Sequence, residues 1–298
     1  MLRVITSLLL LLASLASQAA VVGREVSYQS GDTLLKGYLA YDDAVQGKRP
    51  GILVVHEWWG QNAYARHRAD MLAKLGYTAL AVDMYGEGKI AGHPDEAGKF
   101  ASAVRKNLPL MKARFLAARE FLDAQPNVDP DKNAAIGYCF GGSVVLEMAI
   151  EGVDLAGVAS FHGSLGGLST PAEGAVKARV LVANGADDPF TTAEQIAAFK
   201  TMMDAAGADY TFINYPGAKH SFTNPGADEL GKKFNLPLAY NAAADKASWQ
   251  ALKQFLHEIF SKYVSVHKRR FHRRGAKHAE SFLIKIQNQL PLRRMVLT

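Results

Sequence analysis

The chain has 298 residues, 49% of them hydrophobic and 21% charged, with a formal net charge of +6. Such a composition supports a large buried core and excludes low-complexity disorder, a collagen repeat and a disulfide-stapled miniprotein. The charge sits at one end: residues 265–298 hold nine Lys/Arg against Glu280, while residues 1–264 hold 25 Lys/Arg against 27 Asp/Glu, so the body of the chain gives no reason to expect nucleic acid as a partner.

At the N-terminus, Arg3 precedes an apolar run from Leu8 to Ala13, with Leu15 and Ala16 following and small residues at Ser17, Ala19 and Ala20. This is the pattern of a secretory signal peptide, read as residues 1–19 with cleavage after Ala19, and it implies a secreted or periplasmic protein. The run is too short to span a bilayer comfortably, and no other stretch is long and apolar enough. Val26–Tyr28 and Leu34–Tyr41 read as edge strands joined at Gly31-Asp32. Gly51–Val55 is a compact apolar run of the buried parallel-strand kind. Ala63–Leu75 has helical period and stops at Gly76. Thr78–Met84 is a strand, Met111–Ala124 a helix, Asn133–Tyr138 a strand, and Gly141–Glu151 a helix. Leu155–Phe161, Arg179–Ala183 and Tyr210–Tyr215 complete the strands, and Ala193–Ala206 and Ala242–Tyr263 the helices. This alternation, with no internal repeat or linker over residues 20–264, predicts one α/β domain with a mainly parallel, doubly wound sheet and helices on both faces. Residues 265–298 form a basic tail that reads as a disordered extension, an anionic-surface binder, or the product of a reading-frame change.

Three strand ends carry chemistry, and in such sheets functional groups gather at the carboxyl edge. Gly137-Tyr-Cys-Phe-Gly141 runs from a strand directly into a helix, the form of a nucleophile elbow with sulfur in place of oxygen. Cys139 is the only cysteine, so no internal disulfide is available, and the plainer reading of a lone cysteine is a small buried hydrophobe. Asp187 and Asp188 follow the next candidate strand end; both are turn formers, and the spacing from Gly185 favours Asp188. His220 follows the last strand, between Gly217 and Phe222. Nucleophile, acid, histidine is the chain order of an α/β-hydrolase triad, in which a base manages the nucleophile's proton and a carboxylate orients the base.

With these motifs, and with His56-Glu-Trp-Trp-Gly60 and Asp83-Met-Tyr-Gly86, the chain from Val26 to Val264 resembles the dienelactone hydrolase family, α/β-hydrolases with a cysteine nucleophile. The resemblance implies a Cys139–His220–Asp188 triad, an oxyanion hole from the amides of Trp58 and Phe140, and a Glu57 that engages the resting thiol. It implies a small ester or lactone as substrate and no cofactor. Two arginines that clamp the substrate carboxylate in the family are replaced here by Glu87 and Asn224, which argues against dienelactone itself. Trp59 and Tyr85, with Asn224, are then expected to contact a more apolar or aromatic substrate. A non-catalytic ligand-binding protein, a thioesterase and a peptidase are the alternatives. His56, His162 and Glu57 lack metal-ligand spacing, so no metal is expected; nor do Gly163, Gly166 and Gly167 form a phosphate-cradling pattern.

Overall fold

The structure, a computed structural model, describes residues 21–261. The expected signal peptide and basic tail lie outside the described residues. Among those residues no helix is long and apolar enough to cross a membrane.

Eight strands form one sheet: β1 (Val21–Ser30), β2 (Thr33–Asp42), β3 (Arg49–Val55), β4 (Thr78–Val82), β5 (Val128–Tyr138), β6 (Gly157–Phe161), β7 (Arg179–Gly185) and β8 (Tyr210–Tyr215). Their spatial order is β1-β2-β4-β3-β5-β6-β7-β8. β1 and β2 pair antiparallel, β2 meets β4 antiparallel, and every later pairing is parallel. The mainly parallel, doubly wound α/β sheet expected from the alternation is therefore present. The helices are α1 (Ala63–Ala73), α2 (Pro94–Arg105), α3 (Leu108–Asp123), α4 (Phe140–Ile150), α5 (Ala193–Ala205), α6 (Ala227–Phe234) and α7 (242–261).

Alternation along the central strands fills both faces. Leu53, Val55, Leu80 and Val82 face α3 and α4, in one core with Phe115 and Val144 that extends to Met203 of α5. Ile52, Val54, Ala79 and Ala81 face α1 and α7, where Leu72, Leu252 and Phe255 close the other core. Each fully buried Val, Leu or Ile contributes about 1.5–3 kcal/mol relative to exposure, which is why β3 needs apolar residues on both sides.

The structure departs from the sequence pattern at two helices and several boundaries. β1 and β2 each extend to ten residues because ladder pairing continues through polar residues such as Arg24 and Gln29, which face away from the core. β5 starts at Val128 rather than Asn133, its extra residues accommodated by a register shift at Pro50/Gly51. α3 starts at Leu108 because Asn107 caps it, accepting from the Leu110 amide. α2 and α6 were not anticipated, and both shape the cleft.

Candidate active site

A single residue, Cys139, joins β5 to α4, with φ +52° and ψ −113°. A side chain rarely adopts that backbone, and it persists only where the surroundings fix it. A Cβ at Gly137 would lie 2.0 Å from the Gly141 carbonyl oxygen, and one at Gly141 2.3 Å from that of Val55. Both flanking glycines are therefore required by close backbone approach. The Cys139 amide donates to the Phe161 carbonyl at 3.0 Å and to His162 Nδ1 at 3.1 Å.

The turns after β7 and β8 bring the other two groups to the thiol. His220 Nε2 lies 3.1 Å from Cys139 Sγ, and its Nδ1 lies 2.7 Å from Asp188 Oδ2. Asp188, rather than the exposed Asp187, reaches the histidine; its other oxygen accepts the Phe190 amide at 2.8 Å. Burial opposes a charge on His220, but Cys139 and Asp188 on its two sides outweigh burial and raise its pKa to about 10. A thiol, an imidazole and a carboxylate so connected can transfer a proton and present a sulfur nucleophile.

Phe140 directly follows the sulfur-bearing residue, and Trp58 lines the same cleft as Cys139. Phe140 opens α4, where an amide has no partner within the helix. The Glu57 carbonyl accepts His56 Nδ1–H at 2.5 Å and the Gly60 amide at 3.2 Å. In a trans peptide this fixes the Trp58 N–H on the opposite side. His56 Nε2 accepts the Met84 amide at 3.3 Å, so the ring proton is on Nδ1. Burial lowers the His56 pKa to about 4 and keeps the ring neutral. The His56 carbonyl accepts the Gly141 amide at 3.1 Å, tying the two loops together.

Glu57 does not sit on the thiol. Its Oε2 accepts Asn224 Nδ2 at 2.6 Å, and its Oε1 is buried without a hydrogen-bond partner. Burial holds its carboxyl above the usual range, against the opposing pull of Ser221 and Asn224. Cys139 Sγ is hydrogen-bonded to His220 Nε2 instead.

The cleft over Cys139 has a volume of about 350 Å³. Trp58, Phe190, Leu236 and Leu238 make its apolar walls, Ser164 and Arg105 its polar ones, and none of its lining residues is acidic. Three residues expected to contact substrate stand elsewhere. Trp59 is 4% exposed and stacks on Phe234 with ring centroids 5.7 Å apart. Tyr85 is equally buried between His56 and Phe140, its hydroxyl donating to the Trp58 carbonyl at 2.9 Å. Asn224 is occupied by Glu57. In their place α2 supplies Arg105, whose guanidinium lies 5.6 Å from the Phe140 ring centroid, and the chain after α6 supplies Leu236 and Leu238. Neither contribution has a local sequence signal, because both depend on how helices pack over the sheet edge. Glu87 is exposed and paired with Lys89, outside the cleft. A larger depression, about 400 Å³, lies among the loops preceding β3 and β5, at the opposite edge of the sheet from Cys139. Among the described residues, no group of three or more His, Cys, Asp or Glu is arranged to hold a metal.

Comparison with known proteins gives one consistent result. The model of the dienelactone hydrolase family matches residues 35–260. A dienelactone hydrolase-like promiscuous phosphotriesterase from metagenomic libraries is 35% identical, with TM-score 0.75, over 80% of this chain and 99% of that one. The structure of m3DLH is similar at 37% identity and TM-score 0.75, with the same coverage of 80% and 99%. Protein usf of Aquifex pyrophilus is 27% identical over 70% of this chain and 90% of its own length.

Proposed function

The chain belongs to the dienelactone hydrolase family and is a hydrolase of carboxylic esters or lactones, and on that premise we propose that it works outside the cytoplasm through a Cys139–His220–Asp188 triad and a thioester intermediate. The observation that carries this reading is His220 bridging Cys139 Sγ at 3.1 Å and Asp188 Oδ2 at 2.7 Å.

In the proposed reaction the Cys139 proton passes to His220 and Sγ attacks the carbonyl carbon, forming a C–S bond as the carbonyl π electrons move to oxygen. The Trp58 and Phe140 amides receive the oxyanion, held ready by the backbone before substrate arrives. Collapse breaks the ester C–O bond, and His220 gives its proton to the departing alkoxide; in a lactone this opens the ring. His220 then takes a proton from water, the hydroxide attacks the thioester, and the thiolate leaves. Asp188 keeps the imidazole in the required tautomer and orientation. His56 and Tyr85 hold the peptides on either side of the Trp58 residue. Glu57, turned onto Asn224 and with its carboxyl pushed toward the neutral form, is the residue we assign to restrain the idle thiol when it leaves that partner.

For substrate, the apolar walls favour an aromatic or alkyl group, and Arg105 favours an anionic substituent at the far side of the cleft. The proposal of export rests on the N-terminal sequence pattern alone. A panel of p-nitrophenyl esters, thioesters and simple lactones, run with wild type and Cys139→Ala, tests the reading. Turnover by wild type and its loss in a folded Cys139→Ala protein are expected. Equal activity in the two would overturn the sulfur mechanism.

A further inference from the structure

His162 is fully buried at the end of β6, has φ +39°, and takes no part in the proton transfers above. A backbone N–H can only donate, so the bond from the Cys139 amide leaves His162 Nδ1 without a proton. The ring proton is then on Nε2, which donates to Thr223 Oγ1 at 2.7 Å. Thr223 is three residues beyond His220 in the same loop. Its hydroxyl also bonds the Tyr64 hydroxyl at 2.6 Å, and its carbonyl accepts Arg68 Nη2 at 2.5 Å. Arg68 is itself paired with Asp245 at 2.6 Å, so this side of the loop is anchored to α1 and α7.

The ring has nowhere to move. Its centroid is 5.4 Å from that of His220 and 5.4 Å from that of Phe222. Behind it, a Cβ on Gly142 would come within 2.8 Å of Gly163 Cα, so the turn after β6 is pressed against the first turn of α4. Burial and the neighbouring His220 and Arg68 charges hold the His162 pKa well below the ordinary value. A neutral imidazole is what both hydrogen bonds require.

We propose that His162 is a positioning residue, a neutral strut between the Cys139 amide and the Thr223 hydroxyl that sets the spacing of Cys139 Sγ and His220 Nε2. One end fixes the strained turn that carries the sulfur; the other fixes the loop that carries the base. The inference rests on Cys139 being the nucleophile.

The test measures kcat and KM on a p-nitrophenyl ester, and the rate of Cys139 alkylation by iodoacetamide, in Thr223→Val, Thr223→Ser, His162→Leu and the Thr223→Val/His162→Leu pair. Thr223→Val keeps shape and removes the hydroxyl. It should lower kcat and the alkylation rate about tenfold, with KM within about twofold, since small misplacements of reacting groups are costly. Thr223→Ser should restore both rates. In the His162→Leu background Thr223→Val should add nothing, because the strut is already cut. Wild-type rates in Thr223→Val, or losses that multiply in the pair, would overturn the strut and assign Thr223 to its Tyr64 contact. If His162→Leu fails to fold, Thr223→Val against Thr223→Ser decides. Cys139→Ala separates the two readings: if it retains activity the nucleophile assignment falls, whereas an inactive Cys139→Ala beside a wild-type Thr223→Val removes the strut alone.

Discussion

At the scale of the residue, His220 is the group whose charge state the fold changes most usefully. Its ordinary value of 6.5 is raised to about 10 in the folded protein, so the folded state holds the proton more tightly than the unfolded chain does. The stability this contributes is complete below about pH 6.5 and is lost as the pH rises toward 10. The difference in Tm between wild type and His220→Gln should therefore be largest near pH 6 and shrink steadily to pH 10. A difference independent of pH would show that the imidazole is not charged between Cys139 and Asp188. The neighbouring His56 and His162 are shifted the other way, and burial is the leading cause for both. Three histidines along one edge of the sheet, after β3, β6 and β8, are thus divided by their surroundings into one whose charged form is favoured and two held neutral.

At the scale of the element, α2 alters the account of substrate. Its start is marked by Pro94 in the first turn, with Asp95 and Glu96 close behind, and those signals were there to be read. Its end was not legible, because nothing local says that Arg105 reaches the cleft above Cys139. Arg105→Ala should cut kcat/KM about tenfold for an ester bearing a carboxylate while leaving a neutral ester of the same size within about threefold, as removal of a charged hydrogen-bond donor does. Equal losses on both esters would mean that Arg105 supports the helix rather than the substrate. The same contrast runs through the whole site. Cys139, Asp188 and His220 were readable because each stands in a short segment of fixed geometry at a strand end. Trp59 and Tyr85 were misplaced because aromatic side chains near a strand end serve packing as readily as binding, and burial decides between them. Glu57 is bonded to Asn224 and not to the thiol in this structure, a pairing with no local signal because the two stand 167 residues apart.

At the scale of the whole molecule, the sheet gives six loops one common edge, and two cores hold that edge rigid from both sides. The net charge of +6 belongs to the terminal segment and not to this body. A chain spanning residues 20–264 should therefore keep the full-length kcat/KM within about twofold and should not bind heparin, since a mildly acidic body has no surplus positive field to attract polyanions. Loss of activity on removing residues 265–298 would give the tail a part in the site. The central claim, covalent catalysis by sulfur at the strand-end triad, is tested most directly by intact-mass spectrometry of the enzyme quenched during turnover of a slowly hydrolysed ester. The account predicts a single acyl adduct on Cys139, present in wild type, accumulating in His220→Gln if the thioester cannot be hydrolysed, and absent in Cys139→Ala. Steady turnover with no adduct at Cys139 under conditions that trap thioesters, or an adduct on another residue, would contradict it.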